Sequence, residues 1–237
     1  MQYVQRRLQR SVSDTRRSYS WLAYRTLTEH HGHLVERLEW LPFFEPDETS
    51  ARMLRERGGR FPYSEMSREK NRYILQDVGR ITKARGITVN WPVDVDPVWE
   101  VPHLGYLVAA REGRGHDYIA AVYRARFAEG RNVCDPETVA DIGRDLGIDP
   151  EVISRAHEDP ELRERGADIL TEVCTDGVFG VPFFVQGYTR FWGLDRLDAF
   201  VEHVRTGAAS AASLAPATAG AVGVGRSADD GHAGGCG

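Results

Sequence analysis

Strand-forming patterns occur only near the two ends of this 237-residue chain, and this distribution limits the possible folds more than any other feature. The part between them, about residues 47–176, has helical apolar spacing and repeated helix-start signals. Neither end alone holds enough strands for a stable sheet, so strands from both ends must pair with each other. The sequence therefore predicts an α/β fold in which a large all-helical insertion interrupts a small sheet.

The two ends differ in the order of their elements. Residues 4–12 and 34–44 are predicted to be strands, with a helix over 18–31 between them, which makes a β-α-β unit. Near the other end, residues 181–185 and 188–192 flank a Gln-Gly turn and predict a hairpin. An amphipathic helix follows this hairpin. An N-terminal β-α-β unit and a later β-β-α unit thus flank the helical segment.

Helix starts are unusually clear in the middle of the chain. Three segments open with Asp-Pro-Glu, beginning at Asp135, Asp149 and Asp159. Asp caps free amides, Pro at the first helical position loses no hydrogen bond, and Glu meets the positive end of the helix dipole. Asp47 and Ser67 precede two further helices.

These patterns divide the chain into three parts. Residues 1–46 and 177–206 are predicted to form one sheet-containing domain, and residues 47–176 a helical insertion domain. From residue 207 onward the chain is mostly Ala, Gly, Ser and Thr, and it cannot bury enough apolar surface to offset its conformational entropy. We therefore predict a disordered tail over residues 207–237.

Charge and cysteine content exclude several classes of function. A formal net charge of -5 gives no attraction to phosphate backbones, so a small molecule is a better partner than nucleic acid. No apolar run is long enough for a signal peptide or membrane span, which predicts a cytoplasmic protein with no membrane contact. Cys134, Cys174 and Cys236 form no C-x-x-C pair. Dithiol redox chemistry, a disulfide framework and a metal site are therefore disfavoured.

Several motifs recur in an order that is typical of one family. They occur at residues 20–23, Lys70-x-x-Tyr73-x-x-x-Asp77-x-x-Arg80, residues 126–131, 177–184 and 191–197. In these motifs the chain resembles the DsbA-like thioredoxin superfamily, and in particular its 2-hydroxychromene-2-carboxylate isomerase and kappa-class glutathione transferase branch. The resemblance implies a thioredoxin-like fold. The face shared by Lys70, Tyr73, Asp77 and Arg80 is also explained by charge pairing within the helix.

The resemblance also implies a cofactor site. Pro182 would be a cis proline, and the backbone of Val181 would pair like a strand with glutathione or another low-molecular-weight thiol. The polar end of that thiol would lie against four further residues, Trp192, Gly193, Asp195 and Arg196. The alternatives are a trans proline that ends a strand and a helix start with Asp195 and Arg196 on the surface.

The start of the first helix departs from the family. Where the family has Ser-Pro-Tyr or Cys-x-x-Cys, this chain has Arg17-Ser18-Tyr19-Ser20. Arg17 thus stands at the catalytic Ser or first Cys position and Ser18 at the Pro position, so the catalytic hydroxyl is displaced or missing. Arg17 and Ser18 are candidate catalytic residues, and Tyr19 is expected in the substrate pocket. A cation at a helix N-terminus opposes the dipole, so Arg17 needs an anion. The anion could be a carboxylate or phosphate of a ligand, or the side chain of Asp14. Alternatively, Arg17 points into water and has no anion.

A second departure lies in the loop that faces the pocket. Trp99 stands where the family has Asn, and His103 follows where a small residue is usual. His103 is a candidate proton shuttle, and Trp99 a flat wall for a conjugated substrate. The alternatives are a structural histidine and a packed aromatic side chain.

The combined prediction is a cis-trans isomerase that acts on a conjugated aryl or polyene carboxylate, free or bound to a carrier protein, in secondary metabolism. A bound thiol would add to the double bond, allow rotation and leave again. A thiol-free variant would use Arg17 as an electrophilic clamp. The alternatives are a glutathione transferase-like conjugating enzyme and a non-catalytic binding protein. The resemblance also implies a possible homodimer.

Overall fold

A computed structural model describes residues 9–14, 16–62 and 66–210 of the chain, with side chains described as far as residue 206. Its sheet has four strands in the order β2-β1-β3-β4. The strands are β1 (Gln9–Ser13), β2 (Glu39–Pro42), β3 (Phe183–Gln186) and β4 (Thr189–Trp192). Within the described ranges, no helix is both long enough and apolar enough to cross a bilayer.

The pairing of the strands joins the two ends of the chain. Strand β1 runs parallel to β2, with Val12 opposite Leu41. It runs antiparallel to β3, with Val12 opposite Phe183, and β3 forms a hairpin with β4. The predicted β-α-β and β-β-α units therefore share one sheet, as the scarcity of strands at either end required.

The rest of the described chain is mainly helical. The α-helices are α1 (Ser18–His30), α2 (Gly32–Val35), α3 (Glu48–Glu56), α4 (Arg68–Ala84), α5 (Glu100–Arg111), α6 (Gly115–Tyr123), α7 (Pro136–Asp145), α8 (Pro150–Ser154), α9 (Pro160–Thr175) and α10 (Leu197–Ser210). A π-helical turn follows α6 (Arg124–Ala128), and 3-10 turns occupy Ala156–Glu158 and Leu194–Arg196. No strand interrupts the described residues between β2 and β3.

The predicted helix starts are confirmed. Asp135, Asp149 and Asp159 each accept a hydrogen bond from the amide two residues later, and Pro occupies the first helical position each time. Asp47 and Ser67 cap α3 and α4 in the same way, through the amide three residues on. Local chemistry alone therefore sets the five helix starts.

Two predicted boundaries were wrong. The expected strand over 34–44 is only Glu39–Pro42, since the preceding Gly32–Val35 is a helical turn that buries Leu34 and Val35. The predicted tail begins too early, because α10 continues to Ser210. Alanine, present at two of the four added positions, has the highest helix propensity, which accounts for the extension. Residues 4–8 of the first predicted strand, and 211–237 of the tail, lie outside the described residues.

Apolar side chains pack on both sides of the sheet. Val12 and Phe183 belong to a core shared with the insertion helices, whereas Phe184 belongs to a second core with α1 and α10. Alternating residues of a strand point to opposite faces, so neighbouring β3 residues join different cores. The Phe184 and Phe200 rings stack with centroids 4.9 Å apart, which seats α10 on the sheet. The sheet therefore holds the start of α1 against the insertion helices.

Candidate functional site

The candidate site lies where β1 ends and α1 begins. The amide of Arg17 donates to the carbonyl of Asp14 over 3.1 Å, which turns the chain sharply into the helix. Val12, two residues before Asp14, pairs with Phe183, the residue after Pro182. The sheet thus brings the start of α1 and the Val181–Pro182 segment together, although 164 residues separate Arg17 from Val181 in sequence.

A buried carboxylate organises this junction. Asp14 is only 1% exposed, and its Oδ1 accepts from the amide of Arg16 over 2.7 Å. Its Oδ2 lies 3.5 Å from the Nε of Arg16 and 3.6 Å from the Nε of Arg17. The anion that Arg17 requires at the helix N-terminus is therefore Asp14, one of the alternatives that the sequence left open.

Arg17 remains partly accessible in spite of this contact. Its side chain is 30% exposed, and its Nη1 lies 3.9 Å from the sulfur of Met66. Ser18 is the first residue of α1. Ser20, one turn into the helix, is buried, and its Oγ has no hydrogen-bond partner in the part of the chain that the structure describes. Arg17 and the hydroxyl-bearing Ser18 are thus both partly exposed at this helix start.

His103 lies behind the carboxylate. It is 1% exposed, and its Nδ1 lies 2.7 Å from the carbonyl oxygen of Trp99. A carbonyl only accepts, so Nδ1 carries the proton. Its Nε2 then faces the Oδ1 of Asp14 at 3.6 Å. Burial lowers the pKa of His103, Arg16 and Arg126 lower it further, and Asp14 opposes them.

Trp99 is a buried platform rather than an open wall. It is 3% exposed, and the guanidinium carbons of Arg16 and Arg126 lie 5.4 Å and 5.2 Å from its ring centroid. Arg126 donates to both oxygens of Asp94, over 2.8 Å and 2.7 Å. The predicted role of Trp99 as an exposed substrate wall therefore conflicts with its position, because two cations already face the ring.

Tyr19, the other predicted pocket residue, connects two helices. Its hydroxyl donates to the Oδ2 of Asp77 on α4 over 2.7 Å, and its side chain is mostly buried. Asp77 also accepts from Arg80 over 2.9 Å, the pairing that the motif on α4 suggested. The hydroxyl of Tyr19 thus holds α4 beside the start of α1.

The Val181–Pro182 segment has the cis geometry that the resemblance implied. The peptide bond between these residues is cis. The carbonyl of Pro182 accepts from Gly193 over 2.9 Å, whereas Val181 makes no main-chain hydrogen bond within the described ranges. Val181 is itself buried, at 6% exposure. Strand-like pairing of its main chain with a thiol peptide stays a prediction.

Two of the residues expected to hold the polar end of the thiol lie at the protein surface. Asp195 and Arg196 pair with each other over 3.1 Å, and more than half of each side chain is exposed. This arrangement matches the surface alternative. The Nε1 of Trp192 is buried, with no hydrogen-bond partner among the described residues. A Cβ on Gly180 would lie 2.8 Å from that nitrogen, so the backbone before Val181 lies directly against the indole.

Neither of the two described cysteines lies at the start of α1. Cys134 is buried, and burial raises the pKa of its thiol to about 12. The Sγ of Cys174 donates to the carbonyl of Arg60 over 3.2 Å, and burial raises the pKa of this thiol as well. Both thiols are free, and Cys236 lies outside the described residues. Neither described cysteine is at the α1 start, where a thiol–disulfide enzyme needs one.

A family profile decides the assignment. The DSBA-like thioredoxin domain matches residues 11–205, most of the chain. The chain belongs to the DSBA-like thioredoxin family. The matched range spans both the sheet and the insertion helices of this DSBA-like protein, and its fold is thioredoxin-like.

Known relatives agree on the fold but differ in activity. A 2-hydroxychromene-2-carboxylate isomerase superposes with a TM-score of 0.63 at 21% identity, covering 87% of this chain and 100% of the other. A probable DsbA oxidoreductase from Streptomyces coelicolor gives 0.62 at 19% identity, covering 92% and 96%. The uncharacterized protein YwbO from Bacillus subtilis (strain 168) is 23% identical over 166 residues, 69% of this chain and 78% of its own. At these identities the structures establish the fold alone.

The sequence missed part of this site. Asp14 entered only as one partner for Arg17, and neither Arg16 nor Arg126 was singled out as a site residue. The available signal was Asp14 itself, a carboxylate three residues before an arginine at a helix start. No local pattern in the sequence indicated that His103 contacts Asp14 or that Trp99 contacts Arg16, because about 85 residues separate these positions from the start of α1.

Proposed function

We propose that this DSBA-like protein is an isomerase that converts the cis and trans forms of a double bond conjugated to a carboxylate or thioester. The observation that carries the proposal is the partly exposed guanidinium of Arg17 at the N-terminus of α1. Guanidinium and helix amides together attract a carboxylate, or the carbonyl oxygen of a carrier-bound thioester. The same groups stabilise negative charge that develops on this oxygen.

Arg17 would act on the conjugated carbonyl group. When a nucleophile adds to the β-carbon, electrons move from the double bond towards the carbonyl oxygen, and the former double bond can rotate. Elimination of the same nucleophile returns the electrons and restores the alkene with the other geometry. No atom is gained or lost over the cycle. By pairing with the oxygen, Arg17 would lower the barrier to both addition and elimination.

A bound low-molecular-weight thiol such as glutathione would supply this nucleophile as its thiolate. The main chain of Val181 and the cis Pro182 would hold the peptide part of the thiol. To bind its charged ends, the exposed Asp195 and Arg196 would have to exchange their contact with each other for contacts with the thiol. Asp14 would keep Arg17 oriented at the start of α1 through its contact with the Nε, while the side chain stays 30% exposed towards the substrate.

The test is an assay of alkene geometry. The purified protein is incubated with a cis-configured aryl diene acid, with and without glutathione, and the products are separated by chromatography. We expect thiol-dependent appearance of the trans isomer. Arg17→Gln should reduce kcat/KM by about 100-fold, the effect of losing one oxyanion donor. Arg17→Lys should recover part of that loss.

Arg25→Gln is the matched control, because Arg25 is also on α1 but pairs with Glu29 at the surface. Isomerisation without thiol would assign the chemistry to Arg17 and its neighbours. A thiol conjugate without the trans isomer would instead indicate a glutathione transferase-like enzyme. If the aryl diene acid and its carrier-bound thioester both remain cis, the isomerase proposal is wrong.

A further inference from the structure

The carboxylate of Asp14 has two sides, and each faces a different basic group. Its Oδ2 lies 3.6 Å from the Nε of Arg17, next to the Nε of Arg16 at 3.5 Å, and its Oδ1 lies 3.6 Å from the Nε2 of His103. These distances exceed those of a strong charge-assisted hydrogen bond. One buried anion therefore stands between a partly exposed cation and a buried imidazole.

While Asp14 is in contact with arginine side chains, the charges around His103 favour its neutral imidazole. Burial lowers the pKa of His103 most, Arg16 and Arg126 lower it further, and Asp14 and the hydrogen bond to the Trp99 carbonyl raise it. On the side of Nδ1 the ring faces the carbonyl oxygen of Trp99, which carries no net charge. The pKa of His103 therefore depends in part on how fully Asp14 is compensated by its arginines.

We propose that Arg17 and His103 compete for the Asp14 carboxylate, so that an anion drawing Arg17 towards itself is accompanied by proton uptake on the Nε2 of His103. Asp14 is then a positioning residue that couples substrate charge to a proton. The inference rests on the proposed anion site at Arg17. The competition itself can be tested without any ligand.

The coupled step balances simply. An anion brings one negative charge, and Arg17, whose side chain is 30% exposed, can turn towards it. One proton enters from solvent, forms an N–H bond at the Nε2 of His103, and donates to the Oδ1 of Asp14. The net charge of the site is therefore unchanged by binding. By linkage, protonation of His103 must raise the affinity for the anion by the same factor.

The first experiment is an NMR titration of the His103 imidazole, identified by the loss of its signal in His103→Gln. Arg17→Gln removes the competing cation. We expect a roughly threefold to tenfold higher imidazolium fraction at a given pH, because Asp14 then acts on His103 with less compensation. Arg25→Gln removes the same charge elsewhere on α1 and should leave the titration unchanged. An equal response of His103 to both substitutions would overturn the proposal.

Asp14→Asn provides the second arm of a double-mutant cycle. The amide keeps an oxygen for the Arg16 amide but carries no charge. In this background Arg17→Gln should no longer alter the titration of His103, provided that circular dichroism shows a native fold. An undiminished effect would show that Arg17 acts on His103 directly, and the proposal would be wrong. If Asp14→Asn does not fold, the Arg17→Gln titration still decides.

The coupled uptake is measured by calorimetry with trans-cinnamate as the anionic probe, in buffers of different ionisation enthalpy. We expect proton uptake on binding by the wild-type protein and its loss in His103→Gln. Binding without uptake would overturn the inference and leave the proposed isomerase intact. Conversely, a shift of His103 in Arg17→Gln without any isomerase activity would support the competition and refute the proposed function.

Discussion

Asp14 and Arg17 lie three residues apart and contact each other at the junction of β1 and α1, with 3.6 Å between Oδ2 and Nε. This contact explains how a cation is tolerated at the N-terminus of a helix whose first turn contains no acidic residue. It also means that any external anion must share Arg17 with an internal one. The charge balance of the site therefore depends on a residue that is not exposed to substrate.

Asp14→Asn should lower the free energy of unfolding by about 2–4 kcal/mol, because it removes the anion from two arginines in a buried setting. Urea denaturation with tryptophan fluorescence measures the change. Asp195→Asn is the matched control, since it breaks an exposed pair with Arg196 and should leave the midpoint nearly unchanged. Equal midpoints for the two variants would contradict the structural role of Asp14.

Gly180→Ala should lower the free energy of unfolding by about 1–3 kcal/mol through overpacking. A Cβ at this position would lie 2.8 Å from the Nε1 of Trp192 and 3.3 Å from its Cε2, so the indole or the backbone must move. Because Val181 is the next residue, thiol-dependent isomerisation should fall as well. Gly32→Ala is the control, as nothing lies within 4 Å of a Cβ there. Unchanged stability in both variants would show that the indole gives way.

The stability of the fold should fall as the pH drops from about 7 to 5. The pKa of His103 is lowered in the folded state, so the unfolded chain binds the proton more readily, starting near the ordinary value of about 6.5. His116 has the same sign, because burial lowers its pKa too. Urea midpoints across this range should therefore decline less steeply in His103→Gln than in the wild type. Parallel declines would show that His103 does not contribute.

Much of the fold followed from local sequence chemistry. The Asp-Pro-Glu starts, the hairpin around Gly187 and the helix from Ser18 are each encoded within a few residues, through capping, turn geometry and apolar spacing. The sharing of one sheet by both ends followed from the scarcity of strands. The prediction was wrong at Leu34, where burial against the second core favoured a helical turn over a strand.

In the candidate site, too, some features follow from local sequence and others from tertiary packing. The sequence by itself determined the family, the cation at the start of α1, and the absence of a thiol there, because these depend on residue identity at neighbouring positions. Only the tertiary structure decided that Asp14 compensates Arg17, that His103 faces the same carboxylate, and that Trp99 lies under two guanidinium groups. These contacts join α1, α5 and the turn after α6. Their geometry arises from packing between segments far apart in sequence, which no local pattern records.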